Sequence, residues 1–284
     1  MRPLLRCAVL MAAVAALGIG CRSVKANREL LVVTPPDLAR NAELATRLMA
    51  SSVEEFSAER FTGTNGVTIG YRLLPPPEIR PGERYPLVLS LHGSGEIGED
   101  NAAQLRPLER SWALPEVRRR FPAYVLAPQF PGRSASYHDD PVDGLRSSHP
   151  DPPLLAAMEL IDSLPGRLPI DERRVYVVGF SMGGSTTWNA LLLRPGRFAA
   201  AVPIAGVPPE RSLAPRLVAA NLLLVHGLKD TENPPEPTRA MFAALKAAGA
   251  RRVRLREYEG LGHQIPPEMI AGTEWREWLF AQRR

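Results

Sequence analysis

The 284-residue chain carries 35 basic and 30 acidic side chains, a net charge of +5, with 45% hydrophobic and 23% charged residues. That length fits one large domain or two small ones, and the balance is that of an ordinary globular protein with a full core, which excludes a collagen, a coiled coil, a disulfide scaffold and a polytopic membrane protein. Nucleic acid is not an expected partner: only three basic residues are Lys, and the one tight run, Arg118-Arg119-Arg120, reads as a solvated helix end without interleaved aromatics.

Arg2 and Arg6 precede an uncharged apolar stretch, Ala8 to Ile19, too short to span a bilayer comfortably. Residues 1–20 therefore read as a secretory signal. Gly18-Ile19-Gly20 before Cys21 resembles a bacterial lipobox, with Leu17 one step further back than the usual Leu. The expectation is export across the inner membrane and a lipid on Cys21, which would hold the protein in the periplasm or at the outer membrane. An ordinary cleaved signal is the alternative, and membrane contact is expected only through that anchor. Cys7, the second Cys, lies inside the signal, so the body has no disulfide, Cys nucleophile or Cys-based zinc site. Residues 21–52 are expected to form a tether with one modest helix, Pro36 to Ala50.

Val53 to Arg60 and Val67 to Leu74 are β-type runs around the turn signal Gly63-Thr64-Asn65-Gly66, which predicts a hairpin ended by Pro75-Pro76-Pro77. Tyr85 to Leu91 has the pattern of a buried strand and runs into His92-Gly93-Ser94-Gly95. Ala123 to Ala127 is a further short strand, and Phe130 to Asp151 reads as a long structureless loop, of the kind that carries function. Then come a helix Pro152 to Leu164, a strand Arg174 to Gly179 and a helix Met182 to Leu193. Strands Phe198 to Ile204, Asn221 to Val225 and Val253 to Tyr258 alternate with helices Pro237 to Ala248 and Glu268 to Gln282. Apolar strands alternating with helices predict one α/β domain over residues 53–284, a mainly parallel sheet covered on both faces and opened by an antiparallel hairpin.

Gly179-Phe180-Ser181-Met182-Gly183 sits between a predicted strand and a predicted helix, the context of a nucleophile elbow. Ser181 is thereby placed at a helix N-terminus, where free N–H groups favour an oxyanion. A serine hydroxyl needs a base, and His263, in a Gly-flanked loop after the last strand, falls in the required chain order. Asp230, just beyond a strand end, is the candidate acid, with Glu232 as substitute; Glu257 and Glu259 are expected to pair on a surface. His92 and His226 read as strand-end imidazoles bonding backbone, and His138 and His149 come too early in the chain. The two oxyanion donors are expected from Met182 N–H and Ser94 N–H, with Gly93 the alternative to Ser94. In the long loop, Tyr137 and Arg133 suggest a rim for a sugar or aromatic ester. A metal site from His138, Asp140, Asp143 and His149 fits no defined ligand spacing, and no metal is expected. Trp188, Trp275 and Trp278 read as packing residues.

Leu91-His92-Gly93-Ser94-Gly95-Glu96-Ile97-Gly98-Glu99-Asp100-Asn101 resembles a His-Gly-x-Gly-Glu-x-Gly-x-Asp-Asn segment of bacterial predicted peptidases. These are α/β-hydrolases related to carboxylesterases, polyhydroxybutyrate-depolymerase-like esterases and prolyl oligopeptidase catalytic domains. The resemblance continues through Ala127-Pro128-Gln129, Ile170 to Gly184, His226-Gly227-Leu228-Lys229-Asp230, Gly262-His263 and Trp275 to Leu279. It implies the α/β-hydrolase fold and a Ser181, Asp230, His263 triad. Asn233-Pro234-Pro235 and Gln264-Ile265-Pro266 depart from the family's usual Val-Pro and Asn-x-Trp. A propeller domain like that of prolyl oligopeptidases is not expected, so the reading is a cofactor-free serine esterase acting on a small or carbohydrate-linked ester. A short-peptide peptidase and a non-catalytic binding protein of the same fold are the alternatives.

Overall fold

The computed structural model describes residues 30–33 and 38–284; the expected signal and Cys21 lie outside the described residues. A nine-stranded sheet runs through the centre in the order β1-β11-β10-β9-β8-β4-β5-β3-β2. The strands are β1 (Leu30–Val33), β2 (Ser57–Thr62), β3 (Thr68–Leu74), β4 (Tyr85–Leu91), β5 (Tyr124–Gln129), β8 (Ile170–Phe180), β9 (Ala200–Ile204), β10 (Leu222–Gly227) and β11 (Val253–Tyr258). Strands β6 (Ala135–Asp139) and β7 (Arg146–Pro150) form a separate two-stranded sheet. Pairing is parallel from β1 through β5 across the sheet, whereas β3 runs antiparallel to both β5 and β2. This is the α/β-hydrolase fold, with the antiparallel hairpin where the turn signal predicts it.

All seven residues of β4 are buried, which is why its sequence lacks polar alternation. Its side chains nonetheless alternate between two cores. Leu87, Leu89 and Leu91 join Val175 and Val177 in the first, and Val88 joins Tyr176 and Val178 in the second. Helices α4 (Pro152–Ser163), α5 (Met182–Leu193) and α6 (Glu236–Ala247) cover the first face. The second is covered by the short helices α2 (Pro107–Arg110), α3 (Pro115–Arg120), α7 (Pro267–Ala271) and α8 (Glu274–Phe280). Trp188 and Trp275 are buried and Trp278 packs against the second core.

Three expectations change. The segment expected as a tether supplies β1, which pairs in parallel with β11 at the sheet edge, before the helix α1 (Leu38–Met49). The stretch 130–151 is a β-hairpin and not a structureless loop. Its residues are mostly polar, so no apolar alternation betrays it; Ser147 and Ser148 are buried, and Ser148 bonds the main chain of Val207 and Pro208 through its hydroxyl and N–H. The single helix expected over 268–282 breaks at Gly272, whose extended ψ of 151° ends α7 before Thr273 begins α8.

Candidate active site

Ser181 stands between β8 and α5 with φ 57° and ψ −119°, a backbone region that side chains rarely occupy. The turn is held on both sides, since Ser181 N–H donates to Ile204 O at 2.9 Å and Ser185 N–H donates to Ser181 O at 3.0 Å. Strand and helix together thus present Oγ at the carboxyl edge of the sheet, the place where open α/β sheets bind ligands.

His263 reaches it from the loop after β11. Its Nε2 lies 2.8 Å from Ser181 Oγ and its Nδ1 lies 2.8 Å from Asp230 Oδ2. The two loops that deliver His263 and Asp230 are fastened to each other. Lys229 N–H donates to Leu261 O at 2.8 Å and Leu228 N–H to Tyr258 O at 3.0 Å. Gly227 is required at this crossing, because a Cβ there would overlap the carbonyl oxygens of Leu261 and Gly262. The Asp230 side chain is fully buried. Burial alone would raise its carboxyl, but hydrogen bonds from His226, His263 and Asn233 N–H outweigh that and hold it well below the usual carboxylate range. Asp230 Oδ1 accepts from the N–H groups of Glu232 and Asn233 at 3.0 and 2.9 Å, which leaves Oδ2 for the imidazole.

The remaining expected residues take distinct places. Gly93 is buried against the nucleophile, where a Cβ would stand 3.6 Å from Ser181 Cβ. Ser94 opens a short 3-10 turn, Ser94–Glu96, and Met182 opens α5, so both carry N–H groups that have no partner within their helix. His92 Nε2 accepts from Phe130 N–H at 3.0 Å, and its Nδ1–H donates to Gly93 O at 2.6 Å. Burial pushes this imidazole down to about 4, so it is neutral and serves to hold the turn. His226 Nε2 donates to Asn233 O at 2.8 Å and stands 3.4 Å from Asp230 Oδ2, so it fixes backbone and also faces the acid. Glu232 lies 3.8 Å from His263 Nε2, on the serine side of the ring and largely exposed, and so does not occupy the place of Asp230. Glu257 pairs with Arg239 at 2.6 Å, though it is buried and not on a surface.

Tyr137 and Arg133 approach from the hairpin. Tyr137 OH lies 3.2 Å from Ser185 Oγ, one helical turn after the nucleophile, and the Arg133 guanidinium stacks over the Tyr137 ring at 4.8 Å. His138 contacts His149 and Glu210, whereas Asp140 and Asp143 face Arg211, so the four residues of the weighed metal site do not converge.

A cavity of about 280 Å³ opens directly beside His263. Its walls are Phe180, Leu108, Ile265 and Ile270, with Glu96 and Arg106, paired at 3.3 Å, and the buried Glu109 supplying polar groups. None of these was singled out from sequence for binding, because they come from four segments that only the folded sheet edge brings together. Neither Tyr137 nor Arg133 lines this cavity, so the expected rim and the actual pocket are different surfaces.

Comparison with known proteins shows similarity to carboxylesterases and a thioesterase. The Phospholipase/Carboxylesterase family pattern matches residues 156–274. A protein named probable carboxylesterase from Oryza sativa subsp. japonica is 28% identical over 225 residues, covering 73% of this chain and 82% of that one. Acyl-protein thioesterase 1 of Eremothecium gossypii is 25% identical over 196 residues, covering 63% and 81% respectively. The crystal structure of a thermostable esterase superimposes with a TM-score of 0.71 at 35% identity. The match covers 82% of this chain and 64% of the thermostable esterase, so this chain spans less than two thirds of that protein's length.

Proposed function

We propose that this chain, an α/β-hydrolase similar to carboxylesterases and a thioesterase, is a serine esterase working through an acyl-enzyme. The observation that carries this reading is the continuous line from Asp230 Oδ2 to His263 to Ser181 Oγ, with both contacts 2.8 Å long.

In this mechanism His263 Nε2 takes the Ser181 proton as Oγ attacks the ester carbonyl. Asp230 accepts from Nδ1–H, which fixes the tautomer that leaves Nε2 free and stabilises the imidazolium that forms. Met182 N–H and Ser94 N–H, or Gly93 N–H beside it, hold the oxyanion. His263 then passes its proton to the departing alcohol oxygen. Water then attacks the acyl carbon as His263 Nε2 takes its proton, and the acyl–Oγ bond breaks as His263 returns that proton to Ser181 Oγ, which releases the acid.

The group that leaves must sit against His263, and the cavity there is the pocket on that side of the serine. Its volume admits a small ring or a short chain. Apolar walls with the Glu96 and Glu109 carboxyl groups suit an alcohol that also carries hydroxyls, which supports a small or carbohydrate-linked ester. Tyr137 and Arg133 would border the acyl side. The thioesterase relative makes thioesters, from which a thiol leaves, a natural second substrate class for the same chemistry.

The test is hydrolysis of p-nitrophenyl esters, acetate through octanoate, beside proline-containing peptide nitroanilides, with Ser181→Ala in parallel. Ester turnover that disappears in the variant is expected. Comparable turnover of the peptides would make the protein a peptidase. No turnover of either, together with no labelling of Ser181 by a fluorophosphonate, would make it a binding protein.

A further inference from the structure

The edge of the sheet opposite the candidate active site is lined with arginine. Parallel strands place their amino ends together, and the residues leading into them here are Arg84 before β4, Arg173 at the start of β8, Arg216 before β10, and Arg251 and Arg252 before β11. Arg284 joins them, because its N–H donates to Arg173 O at 3.1 Å and its guanidinium to the main chain of Gly196 and Glu172.

Among the described residues none of the six pairs with a side-chain carboxylate, and Arg173 donates to Arg284 O at 3.3 Å. The carboxylates on the same edge are already engaged: Asp171 pairs with Arg174, and Asp162 and Glu172 pair with Arg197. Arg84, Arg216 and Arg252 instead donate to carbonyl oxygens, of Ile170, Leu192 and Ala219 respectively. Such bonds fix the guanidinium in place but leave its full charge. All six arginines are exposed. At the opposite, site-bearing edge the exposed acids Glu99, Asp139, Glu232 and Glu259 are interspersed with the exposed cations Arg60, Arg133, Arg146 and Lys229, and Arg60 and Arg146 donate to the main chain of Glu99 and Glu232. The amino-terminal edge is therefore the basic one, whereas the site-bearing edge carries charges of both signs.

The path of the chain points to what the base meets. β1 is parallel to β11, with Leu30 opposite Leu255, so the chain enters the described fold at the arginine edge. Cys21 lies nine residues before Leu30, a length that reaches at most about 30 Å. A lipid on Cys21 would hold this edge within about 30 Å of a bilayer.

We infer that the amino-terminal edge of the sheet is a docking surface for an anionic lipid bilayer, which turns the candidate active site toward the aqueous side. That orientation follows from attraction of the arginine edge to an anionic surface. A nucleic acid is the less fitting polyanion, because the arginines lie along a flat edge without the stacking aromatics that single strands use.

The experiment is sedimentation of the full chain carrying Cys21→Ser, so that no lipid contributes, with vesicles of phosphatidylcholine containing about 30% phosphatidylglycerol and with pure phosphatidylcholine. Binding to the anionic vesicles alone, abolished at about 0.5 M salt, is expected. Each arginine removed should weaken it about fivefold, so Arg251→Glu/Arg252→Glu should lose at least twentyfold. Its ester turnover and melting temperature should stay unchanged. The charge-matched control Arg47→Glu/Arg60→Glu, at two exposed arginines away from this edge, should bind within about threefold of the parent, since surface potential decays within a Debye length. Equal binding to both vesicle types, or equal losses in both double variants, would overturn the inference. So would tighter, salt-sensitive binding of a DNA duplex than of the vesicles, which would make the face a nucleic-acid surface. Because binding is read without substrate, its outcome is separate from whether the protein is an esterase.

Discussion

Gly183 packs directly beneath Leu91, so closely that a Cβ on Gly183 would overlap the Leu91 carbonyl and stand only 2.7 Å from His92 O. The elbow that carries Ser181 is thus clamped against the strand that ends in the expected oxyanion turn. Main chain meets main chain here, and nothing flexible can yield. Gly183→Ala should push α5 off β4, cut ester turnover at least a hundredfold and lower stability by roughly 1–3 kcal/mol. Parallel kinetics and urea unfolding would check it; a fully active, stable alanine variant would mean that the contact is looser than described.

Asp230→Asn separates charge from shape. Asp230 Oδ1 is fixed by two N–H donors, so the amide of the variant should keep its oxygen there and turn its NH2 toward His263 Nδ1. That forces Nδ1 to accept and puts the ring proton on Nε2, facing Ser181, where it blocks proton removal. Turnover should fall by roughly 10³–10⁴ with an unchanged fold. Glu232→Gln, at an exposed carboxylate 3.8 Å from Nε2, should change turnover less than about threefold. If the Glu232 variant suffers the larger loss, the acid has been assigned to the wrong residue.

The contrast between those two acids shows what a sequence can and cannot reveal. Ser181, Asp230 and His263 each sit at or just beyond a strand that reads as a strand, so chain order alone brings them to one edge. The pocket beside them has no such signature. Glu96 and Arg106 lie in a segment of short turns, Glu109 on a four-residue helix, and Ile265 and Ile270 in a loop and a five-residue helix. Helices of that length carry too few turns for a period of 3.6 to register. The hairpin at 135–150 has no period to read at all: its strands are polar, the buried Ser147 and Ser148 are neighbours and not alternate residues, and Ser148 is held by hydrogen bonds to Val207 O and Pro208 O.

The cavity makes a prediction about selectivity. Ile265 is half-buried on its wall, close in sequence to His263, so Ile265→Trp should fill much of the 280 Å³ with little cost to the core. If the leaving alcohol occupies it, kcat/KM for p-nitrophenyl acetate should fall at least tenfold while ethyl acetate falls by less than about threefold. A loss that instead follows acyl length, at a constant alcohol, would assign the cavity to the acyl group.

Arg276 is fully buried between Trp112 and Trp275, 4.5 Å from each ring, and donates to Gly272 O, Ser111 Oγ and Ile270 O. Burial pushes its guanidinium down to about 9. It holds the broken C-terminal helix to the α2 side of the core through the Gly272 bend. Arg276→Ala should cost roughly 3 kcal/mol, from the lost stacking and the carbonyl groups left without a donor. Chemical unfolding would measure it, and a change below about 1 kcal/mol would show that the bend is held by the tryptophans alone.

Glu109 should give the protein a pH-dependent stability of defined sign. It is buried, accepts from Ser90 Oγ at 2.7 Å and Arg106 N–H at 3.2 Å, and burial pushes its carboxyl up from 4.5 to about 7. The folded state therefore holds a proton that the unfolded chain releases between those values, so stability falls as pH rises from about 4.5 to 7 and changes no further above that. The shift corresponds to a few kcal/mol at most. Glu109→Gln cannot titrate, so it should lie closest to the parent, or below it, at pH 4 and gain on it steadily up to pH 7. Urea unfolding of both proteins across that range isolates the group, since every other titration is common to the pair. A difference between them that stays flat with pH would show Glu109 to be ionised in the folded protein, held as a carboxylate by Ser90 and the α2 N-terminus.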